Sequence, residues 1–378
     1  METRKPVSGP AQNFSRRLKG ALRHLVSGDP FADRPNPVEW NGLRATCHTE
    51  WPADTTLIAS IAAWDKLLSD VPAATTFHSP TWQQAVVETQ AKPGRLRLIT
   101  VHRSDRLVAV LPMSLRDDGL LETLAPGVSD YLDPLIATDL EPDVWRILLK
   151  LFAHMRSGKW KNVTLQNIRD AATCRTLLPG LAKAEGFDLE ERIIENCPCL
   201  TLPKTWDDYL ATLDSHERKE TRRKVNKVMT KGAGRIVRCG PDPAEIATTL
   251  ATALSLMEQA PGEKGDAVKT TLRPLLERAA PALIANKQLW LTTLYVHDQP
   301  AACTIQFPHP AGPQLYNCGF DSAKREWSAG VVLTAHIIQQ AIESGAQVFD
   351  LLRGQEPYKY KLGAVDRPLW MLSLRNTH

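Results

Sequence analysis

Hydrophobic positions along the chain follow two periods, one of 3.6 residues and one of two residues, which predict helices interleaved with strands. The first half is expected to hold helices on either side of a hairpin. Its predicted helices are residues 55–68, a helix that begins at Pro80 with Ser79 as its N-cap, residues 141–156 and residues 171–185. Its predicted strands are residues 96–101, 107–113 and 162–166, followed by strands through residue 202.

The second half is predicted to open with one long helix over residues 206–231, closed by Gly232. The later predicted helices are residues 243–259, 267–285 and 331–344, with Gly262, Gly265 and Asp266 in an exposed linker after the first of them. The predicted strands are residues 289–296, 301–307, 314–320, 347–352 and 370–374, with a turn at 297–300. Because a hairpin is followed by a helix and a strand in both halves, the pattern favours an α/β fold of two tandem units with mixed sheets, residues 55–203 and 204–378.

The composition is that of an ordinary globular protein. The chain has 378 residues, of which 43% are hydrophobic and 23% charged, and its formal net charge of +4 is too small to indicate a nucleic-acid binder. No apolar run approaches the roughly 18 residues that cross a membrane. Seven scattered cysteines argue against a secreted disulfide scaffold. We therefore expect a soluble, cytoplasmic protein.

Residues 1–54 are basic, show little sustained patterning and are expected to form a flexible extension without a secretory signal. Between Phe14 and Val26, apolar residues recur on one helical face beside four lysines and arginines. Such a helix can lie on an anionic membrane surface, which makes peripheral membrane contact one interpretation. A solvated or packed N-terminal helix is the other.

The first stretch that suggests chemistry is the start of the predicted helix 331–344. A strand and a turn lead to Ser328, a candidate N-cap, and to Gly330. A helix N-terminus offers unpaired N–H groups and the positive end of the helix dipole, and a glycine lets a ligand approach the backbone. This geometry suits a pyrophosphate. The alternative is an ordinary helix start that contains a glycine.

The second stretch follows the next predicted strand. Asp350 lies near the end of that strand, and the loop after it concentrates a guanidinium, a carboxylate, two phenols and two ammonium groups. These residues are Arg353, Glu356, Tyr358, Tyr360, Lys359 and Lys361. Charged groups at this end of a strand commonly face a ligand crevice, where they can orient an anion, relay a proton or stabilise an oxyanion. The alternative is a solvated loop with its own ion pairs.

The third stretch is the predicted helical segment 215–231, which carries seven lysines and arginines against Glu217 and Glu220. It is either a clamp for the phosphates of a nucleotide-bearing donor, a lipid head group or tRNA, or a solvated helix face. The lack of interleaved aromatic residues argues against single-strand binding. Metal-ligand spacings are absent from the sequence. Cys318 is either a nucleophile or, more commonly for such a thiol, a packing residue.

Six short motifs in order resemble those of the CelD-like acetyltransferases, a branch of the GNAT superfamily linked to bacterial polysaccharide biosynthesis. Residues 349–364 (FDLLRGQEPYKYKLGA) resemble the C-terminal motif of that family. The other five stretches are residues 77–82 (FHSPTW), 110–112 (VLP), 129–131 (SDY), the basic run 215–227 and residues 328–330 (SAG). The resemblance spans about residues 70–370.

The resemblance implies tandem GNAT-like acyltransferase domains, as in the Fem-type aminoacyl transferases, in which an acceptor amine or hydroxyl attacks the carbonyl of a bound donor directly. The implied donor-binding residues are Ser328, Gly330, Val331, Arg222 and Arg223. The implied catalytic residues are Asp350 or Glu356 as base or orienting carboxylate, Tyr358 as acid, and Lys359 and Lys361 as charge stabilisers. The implied substrate-binding residues are Asp130, Tyr131 and Arg353.

The sequence departs from the GNAT donor motif Arg/Gln-x-x-Gly-x-Gly/Ala at two of three positions, since Trp327 and Val332 flank Gly330. The expected function is transfer of an acyl group, in the first place acetyl, from acyl-CoA to an amine or hydroxyl of a cell-envelope or exopolysaccharide intermediate, without a metal. Two alternatives stay open. One is a Fem-like aminoacyl transferase that uses tRNA, and the other is an inactive GNAT-fold binding protein.

Overall fold

The computed structural model describes residues 37–52, 54–154 and 160–376. The amphipathic stretch predicted between Phe14 and Val26 lies outside these residues, together with the membrane contact suggested for it. From Pro37 onward the chain forms one compact unit. In the part of the chain that the structure describes, no helix has the length and apolar character needed to span a bilayer.

The helices are numbered α1 to α11 along the described chain. They are α1 Asp54–Asp70, α2 Pro80–Gln90, α3 Glu141–His154, α4 Cys174–Ala184, α5 Trp206–Thr212, α6 Ser215–Lys231, α7 Pro243–Met257, α8 Glu263–Ala267, α9 Arg273–Ala285, α10 Ala329–Glu343 and α11 Pro357–Lys361. Short 3₁₀ helices occupy Thr76–His78 and Ser322–Trp327, and a π-helical turn occupies Val268–Leu272.

The strands are numbered in the same way. They are β1 Val38–Trp40, β2 Leu43–His48, β3 Leu96–Arg103, β4 Arg106–Leu115, β5 Leu120–Thr123, β6 Leu135–Ile136, β7 Asn162–Arg169, β8 Phe187–Thr201, β9 Arg235–Arg238, β10 Trp290–Val296, β11 Gln299–Phe307, β12 Gln314–Phe320, β13 Val348–Asp350 and β14 Val365–Asn376. They form one mixed sheet in the order β1-β2-β3-β4-β5-β7-β14-β8-β13-β12-β11-β10-β9, with β6 beside β4.

The mixed α/β architecture predicted from the sequence is confirmed, and its two halves share one sheet. The last strand, β14, lies between β7 and β8 of the first half, and β8 continues into pairing with β13 of the second half. The boundary between residues 203 and 204 stays a prediction.

Strands β12 and β13 run parallel but pair at a single position, Gln314 with Asp350. Beyond that pair they diverge. The register of β12 against β11 also shifts there, since Ile305 faces Asn317 whereas Gln306 faces Leu315, which leaves Tyr316 as a bulge. The divergence opens a gap in the sheet at the C-terminal end of β12.

Helices cover both faces of the sheet beside this gap. On one face, α10 packs Val332, Leu333 and Ile337 into a buried cluster with strand residues that include Ala302 and Phe349. Neighbouring side chains on a strand point to opposite faces. The thiol of Cys303 therefore reaches the other face, where it bonds to a carbonyl of α7.

Aromatic residues of the first half of the chain pack against β11 and β12 beside the gap. The rings of Phe77 and Trp82 pack edge-on against Phe307 and Tyr316, with centroids 5.1 to 5.7 Å apart. The Ser79 side chain caps α2 by accepting from the Trp82 N–H, as predicted. Residues 77–82 therefore have a packing role under the gap.

Two sequence predictions about the second half are wrong. The long helix predicted over residues 206–231 is two helices, because Asp214 accepts the N–H groups of His216 and Glu217 and so starts α6. The segment predicted as an exposed linker contains the short helix α8, in which Gly265 is buried. A Cβ on Gly265 would stand 2.3 Å from the Ala260 carbonyl oxygen, so glycine allows this close approach.

At the base of the gap, a glycine before β12 allows the chain to approach the start of β13 closely. Gly312 has a φ of +146°, and a Cβ there would lie 1.8 Å from the Val348 carbonyl oxygen. We expect Gly312→Ala to lower the free energy of unfolding by about 2–4 kcal/mol, because backbone must move to accept the methyl group. Gly180→Ala in α4 is the control, since a Cβ there meets no atom of the described residues within 4 Å. Equal urea-unfolding midpoints for the two variants would show that the close approach to Val348 does not require glycine at position 312.

Candidate active site

The gap between β12 and β13 forms the floor of a cleft of about 670 Å³. Residues 315–318 of β12 line one side, and residues 351–359, after β13, line another. The loop 125–130 of the first half and the segment 264–272 complete the walls. Two of the stretches singled out by sequence, 129–131 and 349–364, therefore meet at one cavity.

The loop after β13 is organised around the buried ammonium group of Lys359, which is 3% exposed. Its Nζ donates to the carbonyl oxygens of Leu352, Arg353 and Gly354 at 3.2, 2.7 and 3.0 Å, and lies 3.1 Å from the Glu356 carboxylate. An ammonium group has three donors, so these acceptors occupy it fully. Lys359 thus holds the loop, in place of the charge-stabilising role that the resemblance implied.

Glu356 spans the cleft between two ammonium groups. Its carboxylate accepts from Lys264 of α8 at 3.0 Å and lies beside Lys359. Burial acts to raise the pKa of Glu356, but the two lysines outweigh it and leave the pKa below its usual value. The carboxylate is therefore ionised at neutral pH and is a weak proton acceptor.

Tyr358 places a protonated phenol in the cleft. Burial, with the neighbouring Cys318 and Glu356, raises the pKa of Tyr358 well above its usual value, and its hydroxyl bonds to the Cys318 thiol. Burial also raises the pKa of Cys318. The thiol is therefore neutral at physiological pH, which argues against the nucleophile interpretation of this cysteine.

Asp130 joins the two halves at the wall of the cleft. Its buried carboxylate bonds to the Arg353 Nε and lies 3.4 Å from the Arg353 backbone N. The same guanidinium donates to the Gly127 carbonyl oxygen at 3.1 Å. Asp130 and Arg353, both predicted to bind substrate, thus fix the loop 125–130 against the loop after β13.

Asp350 and Tyr131 pair with each other but line a different cavity, of about 400 Å³. The Tyr131 hydroxyl donates to Asp350 at 2.7 Å, and the Leu352 N–H donates to the other carboxylate oxygen at 2.9 Å. Burial raises the pKa of Asp350. The catalytic carboxylates expected at one site are therefore divided between two cavities, Glu356 in the cleft and Asp350 beside it.

The start of α10 adopts a backbone different from the predicted cap. Ser328 has a left-handed backbone, with φ of +49°, and its side chain makes no capping hydrogen bond. A Cβ on Gly330 would meet the Phe320 ring at an ordinary 3.5 Å. Because Cys318 and Phe320 are two residues apart on β12, they point to the same face. The tip of α10 and the phenol of Tyr358 therefore lie on one side of that strand.

Three further predicted site residues, all of them exposed, lie outside the cleft. Arg222 pairs with Asp207 at 3.1 Å and Arg223 with Glu220 at 2.8 Å, and both arginines are exposed. Lys361 is 64% exposed and faces Glu217 on α6. Lys227 is the α6 cation that reaches the start of α10, where it donates to the Glu326 carbonyl oxygen at 2.7 Å and lies 4.7 Å from the Trp327 ring centroid.

Sequence reasoning missed other residues that line the cleft. Lys264 was assigned to an exposed linker, and Glu195 and Asn317 are hidden within predicted strands without a distinguishing motif. The Asn317 side chain accepts from the Cys318 backbone N–H at 2.8 Å. A strand N–H that bonds to an adjacent side chain is a sign of a free strand edge, which the sequence alone does not reveal.

The buried and exposed lysines of α11 form a matched pair for testing the loop. We expect Lys359→Met to lower the free energy of unfolding by about 2–4 kcal/mol, because it leaves three buried carbonyl oxygens and a carboxylate without that donor. Lys361→Met should change it by less than about 0.5 kcal/mol, since the Lys361 side chain is 64% exposed. Urea unfolding of both variants measures the difference. Equal losses would show that Lys359 does not organise the loop.

Comparison with known proteins places this geometry in a recognised fold. FemX superposes with a TM-score of 0.58 at 10% identity over 82% of this chain and 95% of that chain. The C-terminal DUF2156 domain of a protein described as a lysylphosphatidylglycerol synthetase, from Agrobacterium fabrum, gives 0.53 at 10% identity over 84% and 92%. A conserved protein of unknown function from Bacteroides thetaiotaomicron gives 0.52 at 13% identity over 84% and 97%. At such identities the likeness concerns the fold alone.

The second half of the chain matches a known domain family by sequence. Among curated proteins, none matches the chain. The matching family model is the acetyltransferase (GNAT) domain, over residues 215–360. That range contains α6, the diverging strands β12 and β13, the start of α10 and the loop after β13. Residues 215–360 are therefore similar to a GNAT acetyltransferase domain.

Proposed function

We propose that the protein is an acyltransferase that moves an acyl group, in the first place acetyl, from acyl-CoA to an amine or hydroxyl of a cell-envelope or exopolysaccharide intermediate. The observation that carries the proposal is the gap between β12 and β13, which opens beyond a single pair of residues and holds a cleft of about 670 Å³. The GNAT domain match over residues 215–360 supports the acyltransfer class.

The diverging strands suit a donor with an extended, amide-bearing arm such as that of acyl-CoA. Where β12 leaves β13, alternate N–H and C=O groups along its edge have no strand partner on that side among the described residues. An extended ligand can pair with such an edge in the manner of an added strand. The arm would run along β12 toward its C-terminal end.

The Cys318 backbone N–H is the group best placed to polarise the donor carbonyl. In the free protein it bonds to the Asn317 side chain, which can rotate away. An oriented backbone donor stabilises the negative charge that develops on oxygen when the acceptor attacks. The tip of α10 lies further along the same strand face and offers free N–H groups for the pyrophosphate, with Lys227 nearby.

Two side chains of the cleft, Tyr358 and Glu356, are assigned to proton transfer. As the acceptor attacks the thioester carbonyl, the carbon–sulfur bond breaks and the thiolate needs a proton, which the phenol of Tyr358 supplies. Of the two predicted carboxylates, Glu356 lines the cleft and Asp350 does not, so Glu356 is assigned to orient the acceptor or take its proton. Because its pKa is low, Glu356 is a weak base, so positioning of the acceptor contributes more to the catalysis than proton abstraction by Glu356.

A tRNA-dependent aminoacyl transferase is the second candidate. The observation that favours it is the charge of α6, which carries seven lysines and arginines against two glutamates, a net +5 in a chain of net +4. Arg222 and Arg223 are exposed on that helix. A polyanion that binds there would release counterions, so its affinity would fall steeply with salt.

Calorimetric titration with acetyl-CoA tests the proposal and separates the two candidates. We expect wild type to bind acetyl-CoA and Gly330→Trp to lose at least about ten-fold in affinity, because the indole would cover the tip of α10. Gly180→Trp in α4, at a position with open space around it, is the control and should bind normally. Absence of binding, or equal binding by all three proteins, would overturn the donor assignment. Binding of tRNA that Arg222→Ala with Arg223→Ala makes less salt-dependent would favour the second candidate.

The two tyrosines of α11 test the assigned acid. Tyr358→Phe should lower kcat by about ten- to a thousand-fold, because the departing thiolate loses its proton donor. Tyr360→Phe is the control, since its hydroxyl faces Asp366 at 2.8 Å and its side chain is partly exposed. Steady-state assays with a fixed acceptor amine and acetyl-CoA measure both. An unchanged kcat in Tyr358→Phe would remove this residue from the mechanism.

A further inference from the structure

The cavity beside the cleft has no role in the mechanism above. Tyr131 and Asp350 line it, whereas their chain neighbours Asp130 and Leu351 line the cleft. The two cavities therefore lie on opposite sides of the same two chain segments. The second cavity measures about 400 Å³, within the range of small-molecule sites.

Polar groups with unused hydrogen-bonding capacity converge on this second cavity. The Arg367 guanidinium is exposed and makes no hydrogen bond or ion pair to the residues that the structure describes. Within the same described ranges, the buried side-chain oxygen of Gln314 also lacks a partner, and its amide nitrogen lies 3.4 Å from Asp350. A donor and an acceptor that lack partners among the described residues thus line the same cavity.

The charges that face the cavity largely cancel. Arg169 pairs with Asp133, and Arg175 pairs with Asp170. The positive charge of Arg367 acts on Asp350 without a direct ion pair among the described residues, and Asp366 is a further acid that lines the cavity.

Asp366 accepts from the Tyr360 hydroxyl at 2.8 Å and from the Gln355 side chain at 3.2 Å. The carboxylates that line the cavity would repel a strongly anionic ligand, and the guanidinium groups would repel a cationic one. The cavity therefore favours an uncharged polar ligand.

We propose that the second cavity binds a sugar ring, at a site separate from the cleft. A hydroxyl group both donates and accepts, so neighbouring hydroxyls pair at once with the Arg367 guanidinium and with the oxygens of Asp350 and Gln314. The binding of the sugar does not rest on the proposed function.

Saturation-transfer NMR with free glucose, galactose and N-acetylglucosamine as probes tests this site. We expect wild type to transfer saturation to at least one of these sugars and Arg367→Met to weaken that binding about ten-fold or more. Arg367 is exposed, so this variant should stay folded, and unchanged circular dichroism confirms that. Tyr358→Phe, in the cleft, is the matched control and should keep sugar binding.

Excess acetyl-CoA separates the two cavities. If the sugar occupies the second cavity, acetyl-CoA leaves its signal in place. Displacement of the sugar by acetyl-CoA, equal binding by Arg367→Met, or no saturation transfer from any of the three sugars would overturn the inference. Sugar binding that depends on Arg367 in a protein that does not bind acetyl-CoA would support the cavity assignment and contradict the proposed donor.

Discussion

One constraint governs the functional half of this molecule: parallel strands β12 and β13 share a single paired position, and the backbone groups beyond it need other partners. Unpaired backbone polar groups in a protein interior are costly unless water, a side chain or a ligand satisfies them. The Asn317 side chain satisfies one of them, the Cys318 N–H, in the free protein. A donor whose amides and carbonyl take over these bonds would bind without rebuilding the sheet.

The walls of the gap depend on interactions that cross between the halves of the chain. Lys359 gathers the carbonyl oxygens of the loop after β13 into a fixed turn, and Arg353 of that turn reaches Asp130 of the first half. The first half in turn contributes the Tyr131 hydroxyl to Asp350, next to the point where the strands separate. Both halves therefore shape the cleft, although the residues that match the GNAT domain lie in the second half.

The sequence predicted the elements of this site better than their side-chain roles. The hydrophobic periodicity located β12, α10 and β13, because the spacing of their apolar residues reflects the faces that are buried. Spacing does not distinguish a buried lysine from an exposed one, so Lys359 and Lys361 looked alike although one is 3% exposed and the other faces solvent. The resemblance implied site residues in both 129–131 and 349–364, but it did not show that Asp350 and Glu356 face different cavities. The break at Asp214 escaped notice because a helix-starting aspartate within a long polar stretch resembles a solvated helix position.

Hydrogen–deuterium exchange with and without acetyl-CoA reports on the backbone groups at the gap and therefore on donor binding there. We expect slower exchange for peptides that cover residues 315–320 and 351–354 when acetyl-CoA is present. We also expect slower exchange at the start of α10. Protection confined to other parts of the chain, with the amides of β12 unchanged at saturating acetyl-CoA, would contradict donor binding between the diverging strands.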